Sequence, residues 1–392
     1  MLNTPFSPWP SYTQEEISAV TNVLLSNKVN YWTGNECREF EREFADWVGS
    51  QYAITLSNGT LALDIALKAL DVGENDEVIT TSRTFLASAS SIVTAGATPV
   101  FADVDLNSQA ITAESISAVL SPKTKAVIVV HLAGMPADMD PIMELSEKHG
   151  FYVIEDCAQA HGAKYKGKSV GTIGHIGAWS FCQDKIMTTG GEGGMVTTND
   201  ERLWSAMWSY KDHGKSFDAV YNRKHTPGFR WLHESFGTNW RMTEIQGVIG
   251  RIQLKMMSEW TLKRQNNGAS IDAAVADLVV VRTVEVPDYI EHAEYKHYLF
   301  VRPEWLKEGW SRDRIIDAIV ERGVPVYQGS CSEIYMEKAF DNTSWRPKER
   351  LKNARELGET SLMFLVHPTL KPEEMNKACN VIREVLLEAQ KA

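Results

Sequence analysis

Cysteine, excess positive charge and long apolar runs are all scarce in this chain, and each scarcity removes a class of function. The five cysteines among 392 residues, Cys37, Cys157, Cys182, Cys331 and Cys379, are odd in number, scattered and never spaced C-x-x-C. That argues against a disulfide framework or a zinc site and predicts reduced thiols. Lys and Arg total 40 against 51 Asp and Glu, a formal net charge of −11. Proteins that follow phosphate backbones gather lysine and arginine, so nucleic acid is not an expected partner. No run of about 18 apolar residues occurs, which predicts no membrane span. The opening MLNTPFSPWP has neither the basic nor the apolar region of a secretory signal, and a cytoplasmic location is expected. Small-molecule chemistry remains.

What is present is a 43% hydrophobic chain long enough for two domains with separate cores. After a proline-rich arm (5–10), helical spacing marks 15–25 and 37–48. An alternation then begins. Short apolar runs at 52–56, 77–80, 99–101, 126–130 and 152–154 are separated by helical patterns at 61–70, 88–95, 115–120 and 139–149. Strands alternating with helices predict an α/β fold with a mostly parallel sheet covered on both faces. Ligands of such sheets bind at the carboxyl ends of the strands. Past Val196 come a helix through Trp204 and Trp208, a long polar stretch from Lys211 to Phe236, and a helix from Glu244 to Lys263. The boundary is placed at the start of that last helix, giving a large domain with its arm (1–243) and a smaller α+β domain (244–392). In the latter, strands are predicted at 278–281 and 297–301, and helices at 312–322, 349–357 and 373–389.

The most informative stretch is WSFCQDKIMTTGGEGG, residues 179–194. It begins as a buried strand, places Lys185 just after the strand end, and turns through a glycine loop into a second strand, 195–198. Taken out of water, an amine favours its neutral, nucleophilic form, so this is where a Schiff-base lysine belongs, although most lysines are solvated surface charges. Other groups fall where strand ends are expected. Asn58-Gly59-Thr60 opens a helix, where free amides and the helix dipole hold an anion, although a plain helix cap has the same residues. Asp156 follows a buried strand, Ser180 precedes the lysine, and Phe85 starts a helix. Together they fit pyridoxal phosphate, which needs a lysine, a carboxylate to keep its ring nitrogen protonated, a phosphate cup and a flat neighbour.

Three other patterns fail. TTGGEGG lacks the G-K-[ST] ending of a P-loop and leads into a strand; His233-Glu234 has glycine at 237 in place of a second zinc-binding histidine. Cys157 and Cys182 are read as buried, inert thiols.

The strings SNGTLAL, IEDCAQAHGAKYKGK, SFCQDKIMTTGGEGGMVTT and FGTNWRMTEIQGVIGRIQLK resemble the DegT/DnrJ/EryC1/StrS family of sugar aminotransferases, fold type I pyridoxal enzymes, over nearly the whole chain. The resemblance implies that Lys185 binds the cofactor and shuttles the proton, that Asp156 pairs with the ring nitrogen, and that Gln159 and Phe85 lie against the ring. It also implies that Gly59, Thr60 and Ser180 hold the phosphate and that Asn239 reaches the phosphate of a neighbouring subunit. A homodimer, L-glutamate as donor and a keto or aldehyde sugar as acceptor follow from the family. Members that dehydrate ketosugars carry histidine in place of the lysine, so Lys185 disfavours dehydration. A non-catalytic pyridoxal-binding regulator is the alternative of another class, disfavoured by the survival of both Lys185 and Asp156.

Cys182 and the insertion HTPGFRWLHES depart from many relatives on the substrate side. The strings FCQDKIMTTGGEGG, WSYKDHG and GFRWLHESFGTNWRM resemble the branch that aminates C8 of the lipopolysaccharide sugar acid Kdo, giving 8-amino-3,8-dideoxy-octulosonate. A nucleotide-linked 4-keto-6-deoxy sugar of the perosamine type is the alternative acceptor. An acidic acceptor calls for cations, and Lys211, His213, Lys215, Arg230 and Arg241 are the candidates, each also readable as an ordinary solvated charge.

Overall fold

The computed structural model describes residues 5–391, so the first four residues of the expected large domain and the last of the smaller one lie outside it. Two helices, α1 (Gln14–Leu25) and α2 (Glu36–Val48), precede the sheet. Thr13 starts α1 by a reciprocal cap: its hydroxyl accepts from the Glu16 amide, and the Glu16 carboxylate accepts from the Thr13 amide. Then β1 (Tyr52–Leu56), α3 (Gly59–Ala69), β2 (Glu77–Thr81), α4 (Ala87–Thr94), β3 (Thr98–Ala102), α5 (Ala113–Ser117), β4 (Thr124–Val130), α6 (Met139–His149) and β5 (Tyr152–Asp156) alternate as the periodicity predicts. A small hairpin, β6 (Lys164–Tyr165) and β7 (Lys168–Ser169), leads to β8 (Ile176–Ser180) and β9 (Gly194–Thr198).

Seven strands form the large sheet in the order β1-β9-β8-β5-β4-β2-β3. Its pairings are parallel except the two made by β9. Both faces are covered, which is why its strands are buried along nearly their whole length rather than on alternate residues. Val127 and Val129 of β4 pack with Met139 and Ile142 on one side, while Ile128 and Val130 pack with Leu63 and Ala66 on the other. Each such side chain, fully buried, contributes about 1.5–3 kcal/mol.

Beyond the sheet lie α7 (Glu201–Lys211), α8 (Phe217–Tyr221) and α9 (Glu244–Val275). A second core is built on β10 (Val281–Arg282), β12 (His297–Val301), β13 (Val326–Tyr327) and β14 (Ser361–Phe364), antiparallel in the order β10-β12-β14-β13. Helices α10 (Arg312–Glu321), α11 (Lys352–Thr360) and α12 (Pro372–Ala389) accompany it, and β11 (Ile290–Glu291) joins the hairpin β6-β7. The arm reaches this second core: Phe6 packs on it, and the Ser7 amide donates to Glu374 Oε1 over 2.7 Å. Among the described residues no helix is long and apolar enough to cross a membrane.

Three expectations are corrected. The helix from Glu244 runs on to Val275, because Asn267 Nδ2 donates to the Val366 carbonyl at 3.1 Å and Gly268 lets His297 approach where a Cβ would lie 2.9 Å from its Nδ1. Tertiary partners override what reads as an N-N-G break. The expected strand at 278–281 shrinks to Val281–Arg282, since the Val279 and Val280 amides donate instead to the Gln390 side chain. The polar stretch 211–236 contains α8, capped by Ser216 and anchored where Phe217 meets Trp204 and Trp208.

Candidate active site

The carboxyl ends of β1, β2, β5 and β8 open into a cavity of about 590 Å³. Gly59, Thr60, Phe85, Asp156, Gln159, Ser180 and Lys185 all line it. Residues more than a hundred positions apart meet here because the sheet gathers its strand ends.

Adjacent acids on β5 have opposite fates, since successive strand side chains point to opposite faces. Glu155 turns away from the cavity: its Oε1 accepts from the Ile173 and Gly174 amides at 2.8 and 2.7 Å, and its Oε2 meets Gly171 N and His131 Nε2 at 2.8 and 2.9 Å. His131, Glu155 and Cys157 cluster as metal ligands do, but the glutamate is already saturated by these bonds. Asp156 turns into the cavity. Its Oδ2 accepts from the Ser88 hydroxyl at 2.9 Å and its Oδ1 from the Ala158 amide at 3.1 Å. Burial pushes this carboxyl above its usual range; the Ala158 amide, Ser88 and Lys185 pull it back without cancelling the effect. A cation placed against Asp156 relieves that cost.

Lys185 sits on the turn after β8, its ammonium 3.8 Å from Asp184 Oδ1 and 5.2 Å from the centre of the Tyr295 ring. The turn is held from several sides. Thr188 donates its amide to Gln253 Oε1 of α9 and its hydroxyl to the Phe181 carbonyl, at 2.8 and 3.0 Å. The Trp9 indole of the arm donates to the Lys185 carbonyl at 2.8 Å. Gln159 is fixed by the Ala133 amide, which donates to its Oε1 at 2.8 Å. Phe85 stands at the mouth with 72% of its surface exposed.

At the other end Asn58 caps α3 by accepting the Leu61 amide at 3.0 Å. The cap and the anion site coexist: the amides of Gly59 and Thr60, in the first turn, have no acceptor within the helix. A Cβ on Gly59 would come within 2.5 Å of Ser180 Cβ, so only glycine lets the helix start approach the end of β8.

The remaining expectations fare differently. Asn239 is exposed and outside this cavity, its backbone bridged to Asp212. None of the five candidate cations lines the cavity. Lys211 is wholly buried, 3.4 Å from Glu41 and 3.9 Å over the Tyr31 ring. Arg241 and Lys215 both meet Asp212 Oδ1, at 2.6 and 3.1 Å, while His213 and Arg230 face outward. The partly buried Glu41 and the buried Asp212, which need counter-charge, have taken Lys211, Lys215 and Arg241. Cys157 is fully buried and burial pushes its thiol well up, but Cys182 is only half-buried at the cavity rim.

Sequence reasoning missed the other wall. A second cavity of about 650 Å³ shares Thr84, Phe85, Gln159, Asp184 and Lys185 with the first, and continues along Tyr295, Lys296, Tyr298, Tyr327 and Ser330. Asp184 accepts a hydrogen bond from the Tyr295 hydroxyl, tying the lysine turn to the smaller sheet. Asp184 stands beside Lys185 in the quoted string and could have been found there; nothing in the residues around 295–298 marks them.

The first cavity fits pyridoxal phosphate on the residues present. It offers a buried carboxylate that gains from a cationic ring nitrogen, an amine across the space, free helix amides beside a hydroxyl, and a glycine cradle that a side chain would fill.

Known proteins agree. The model of the DegT/DnrJ/EryC1/StrS aminotransferase family matches residues 10–383. A GDP-perosamine synthase of Escherichia coli O157:H7 is 35% identical, covering 96% of both chains. A UDP-N-acetyl-3-dehydro-alpha-D-glucosamine 3-aminotransferase of Acidithiobacillus ferrooxidans is also 35% identical, over 98% of this chain and 96% of its own. The X-ray structure of an aminotransferase from Psychrobacter cryohalolentis superposes with a TM-score of 0.97 at 62% identity, covering 98% of this chain and all of the other. The chain therefore belongs to the DegT/DnrJ/EryC1/StrS aminotransferase family and is a pyridoxal-phosphate-dependent sugar transaminase.

Proposed function

We propose that this enzyme carries an amino group from L-glutamate to a sugar carbonyl in two half-reactions at one site, in the cytoplasm. The observation that supports the reading most is the convergence of Lys185, Asp156 and the Gly59-Thr60 turn on one cavity. Bound pyridoxal phosphate supplies a carbon that amines attack and a ring that accepts electron density. Lys185 Nζ would hold the cofactor between turnovers, then take the proton from the donor Cα and deliver it to the cofactor carbon across the shared nitrogen. Asp156 keeps the proton on the ring nitrogen. The Gly59 and Thr60 amides and the Ser180 hydroxyl hold the phosphate, and Phe85 and Gln159 flank the ring. Asn239, exposed and outside its own cavity, reaches the phosphate in the neighbouring subunit of a homodimer.

For the acceptor, we propose the 8-oxo form of Kdo, making 8-amino-3,8-dideoxy-octulosonate for lipopolysaccharide. The strings around Lys185, Trp208 and Trp231 support it. A nucleotide-linked keto sugar of the perosamine type is the second reading: one full-length relative is named for perosamine, and another is named for a different nucleotide-linked keto sugar, which supports the nucleotide alone. Incubation with ¹⁵N-labelled glutamate and each sugar, followed by mass spectrometry, tests both. Label in the amino-octulosonate is expected; label only in a nucleotide-linked amino sugar selects the second reading, and label in no sugar contradicts both.

A further inference from the structure

Lys296 lies just before β12, on the wall of the second cavity, and no hydrogen bond or ion pair satisfies its ammonium within the described residues. It stands 4.7 Å over the Tyr295 ring, largely out of water. A desolvated ammonium without an acceptor is costly and is ordinarily paired. Asp184, the carboxylate acting on it, is already engaged by Lys185 and the Tyr295 hydroxyl. Burial brings the Lys296 ammonium down to about 8; Asp184 opposes this, while Arg264 and Lys185 add to it.

Two further cations stand behind these walls without a carboxylate at ion-pair distance. Arg83 is fully buried and donates only to neutral oxygens: Gln109 Oε1 at 3.0 Å, Ser361 Oγ at 3.2 Å and the Ser330 carbonyl at 3.3 Å. Arg264 donates to the Tyr295 carbonyl at 3.3 Å, and its Nε and Nη2 have no partner. In a chain of net charge −11 these arginines set two buried positive charges behind a lining in which Lys185 and Lys296 stand with Asp184 and Glu337, and buried charge of one sign draws the opposite ion toward it. Both guanidiniums are too deep to touch a ligand. Lys296 is not.

We propose that Lys296 recognises a carboxylate of the sugar acceptor, so that the cavity between Lys185 and the smaller sheet takes acidic sugars. This rests on the aminotransferase reading above. A single ammonium suits a single carboxylate, whereas a diphosphate recruits arginine forks or successive backbone amides. The second cavity exposes no arginine and one glycine, Gly329.

The test is calorimetric binding to the holoenzyme of Kdo, which lacks the reactive carbonyl at C8, and of its methyl ester, which lacks the charge. The wild type is expected to bind the acid at least roughly tenfold more tightly than the ester. Lys296→Met is expected to erase that difference, and Lys296→Arg to keep part of it. Equal binding of acid and ester by the wild type, or a preference that survives in Lys296→Met, overturns the proposal. Release of 2-oxoglutarate from L-glutamate by the same preparations separates the two readings. Release without acid preference removes only the role of Lys296; no release removes the aminotransferase reading itself.

Discussion

At the scale of single residues, the chemistry depends on which way a side chain points. Glu155 and Asp156 are neighbours in one string, and only the alternation of a strand sends one into structural bonds and the other into the cavity. The strings around Lys185 and Asp156 made both legible, since a lysine after a buried strand and an acid after another have few other uses together. Lys296 was illegible because its meaning comes from a cavity wall assembled from two distant stretches. Lys211 and Arg241 misled for the converse reason: charge is visible in a sequence, but the carboxylates that neutralise it, Glu41 and Asp212, are not. Asp156→Asn keeps the shape and removes the charge. Turnover is expected to fall by roughly 10²-fold or more while the cofactor still binds, as read by steady-state rates and bound-cofactor absorbance. Rates within threefold of wild type would show that the carboxylate does not serve the ring nitrogen.

At the scale of elements, most strands and helices of the large sheet fell within a residue or two of their predicted places because apolar runs and periodicity both marked them; α5, expected at 115–120, forms instead at Ala113–Ser117, where the Thr112 side chain caps it. The smaller half was harder. Strand β14 follows α11 with no turn residue between them, and α9 continues through Asn266, Asn267 and Gly268 on contacts that only the folded chain provides. One close fit between elements at the site is the start of α3 against the end of β8. Gly59→Ala places a methyl against Ser180 Cβ and its backbone, with 3.0 Å to Cα, so the strand end itself must shift. A loss of about 1–3 kcal/mol is expected, together with weaker cofactor binding, measurable by chemical denaturation and by cofactor titration. An unchanged stability and affinity would mean that the cradle is looser than its contacts indicate.

At the scale of the molecule, the arm, the lysine turn and the smaller sheet are tied together by Trp9, Asp184 and Tyr295, so the site draws on both cores. Buried histidines make the stability of this assembly depend on pH in both directions. Burial drives His161 and His367 from 6.5 to about 3. Their folded values lie below the unfolded one, so the stability they contribute is present above pH 6.5 and is lost as the pH falls toward 3. His297 is the opposite case: burial disfavours its charge, but Glu294 and Asp272 outweigh it and raise it to about 10. Its contribution is full below pH 6.5 and is lost as the pH rises through 10. The melting temperature is expected to peak near neutrality, and His297→Gln to flatten the alkaline side. A profile still climbing between pH 8 and 10 would contradict this assignment.

The joint claim about fold, cofactor and chemistry is tested most directly by the absorption spectrum of the purified protein before and after L-glutamate, with 2-oxoglutarate assayed in the same tube. The wild type is expected to be yellow, to lose that colour on adding glutamate, and to release one keto acid per site; Lys185→Ala should fold yet release none by turnover. A protein that takes up no pyridoxal phosphate, a colour that glutamate leaves unchanged, or an alanine variant that turns over would contradict the reading of Lys185 and with it the proposed reaction.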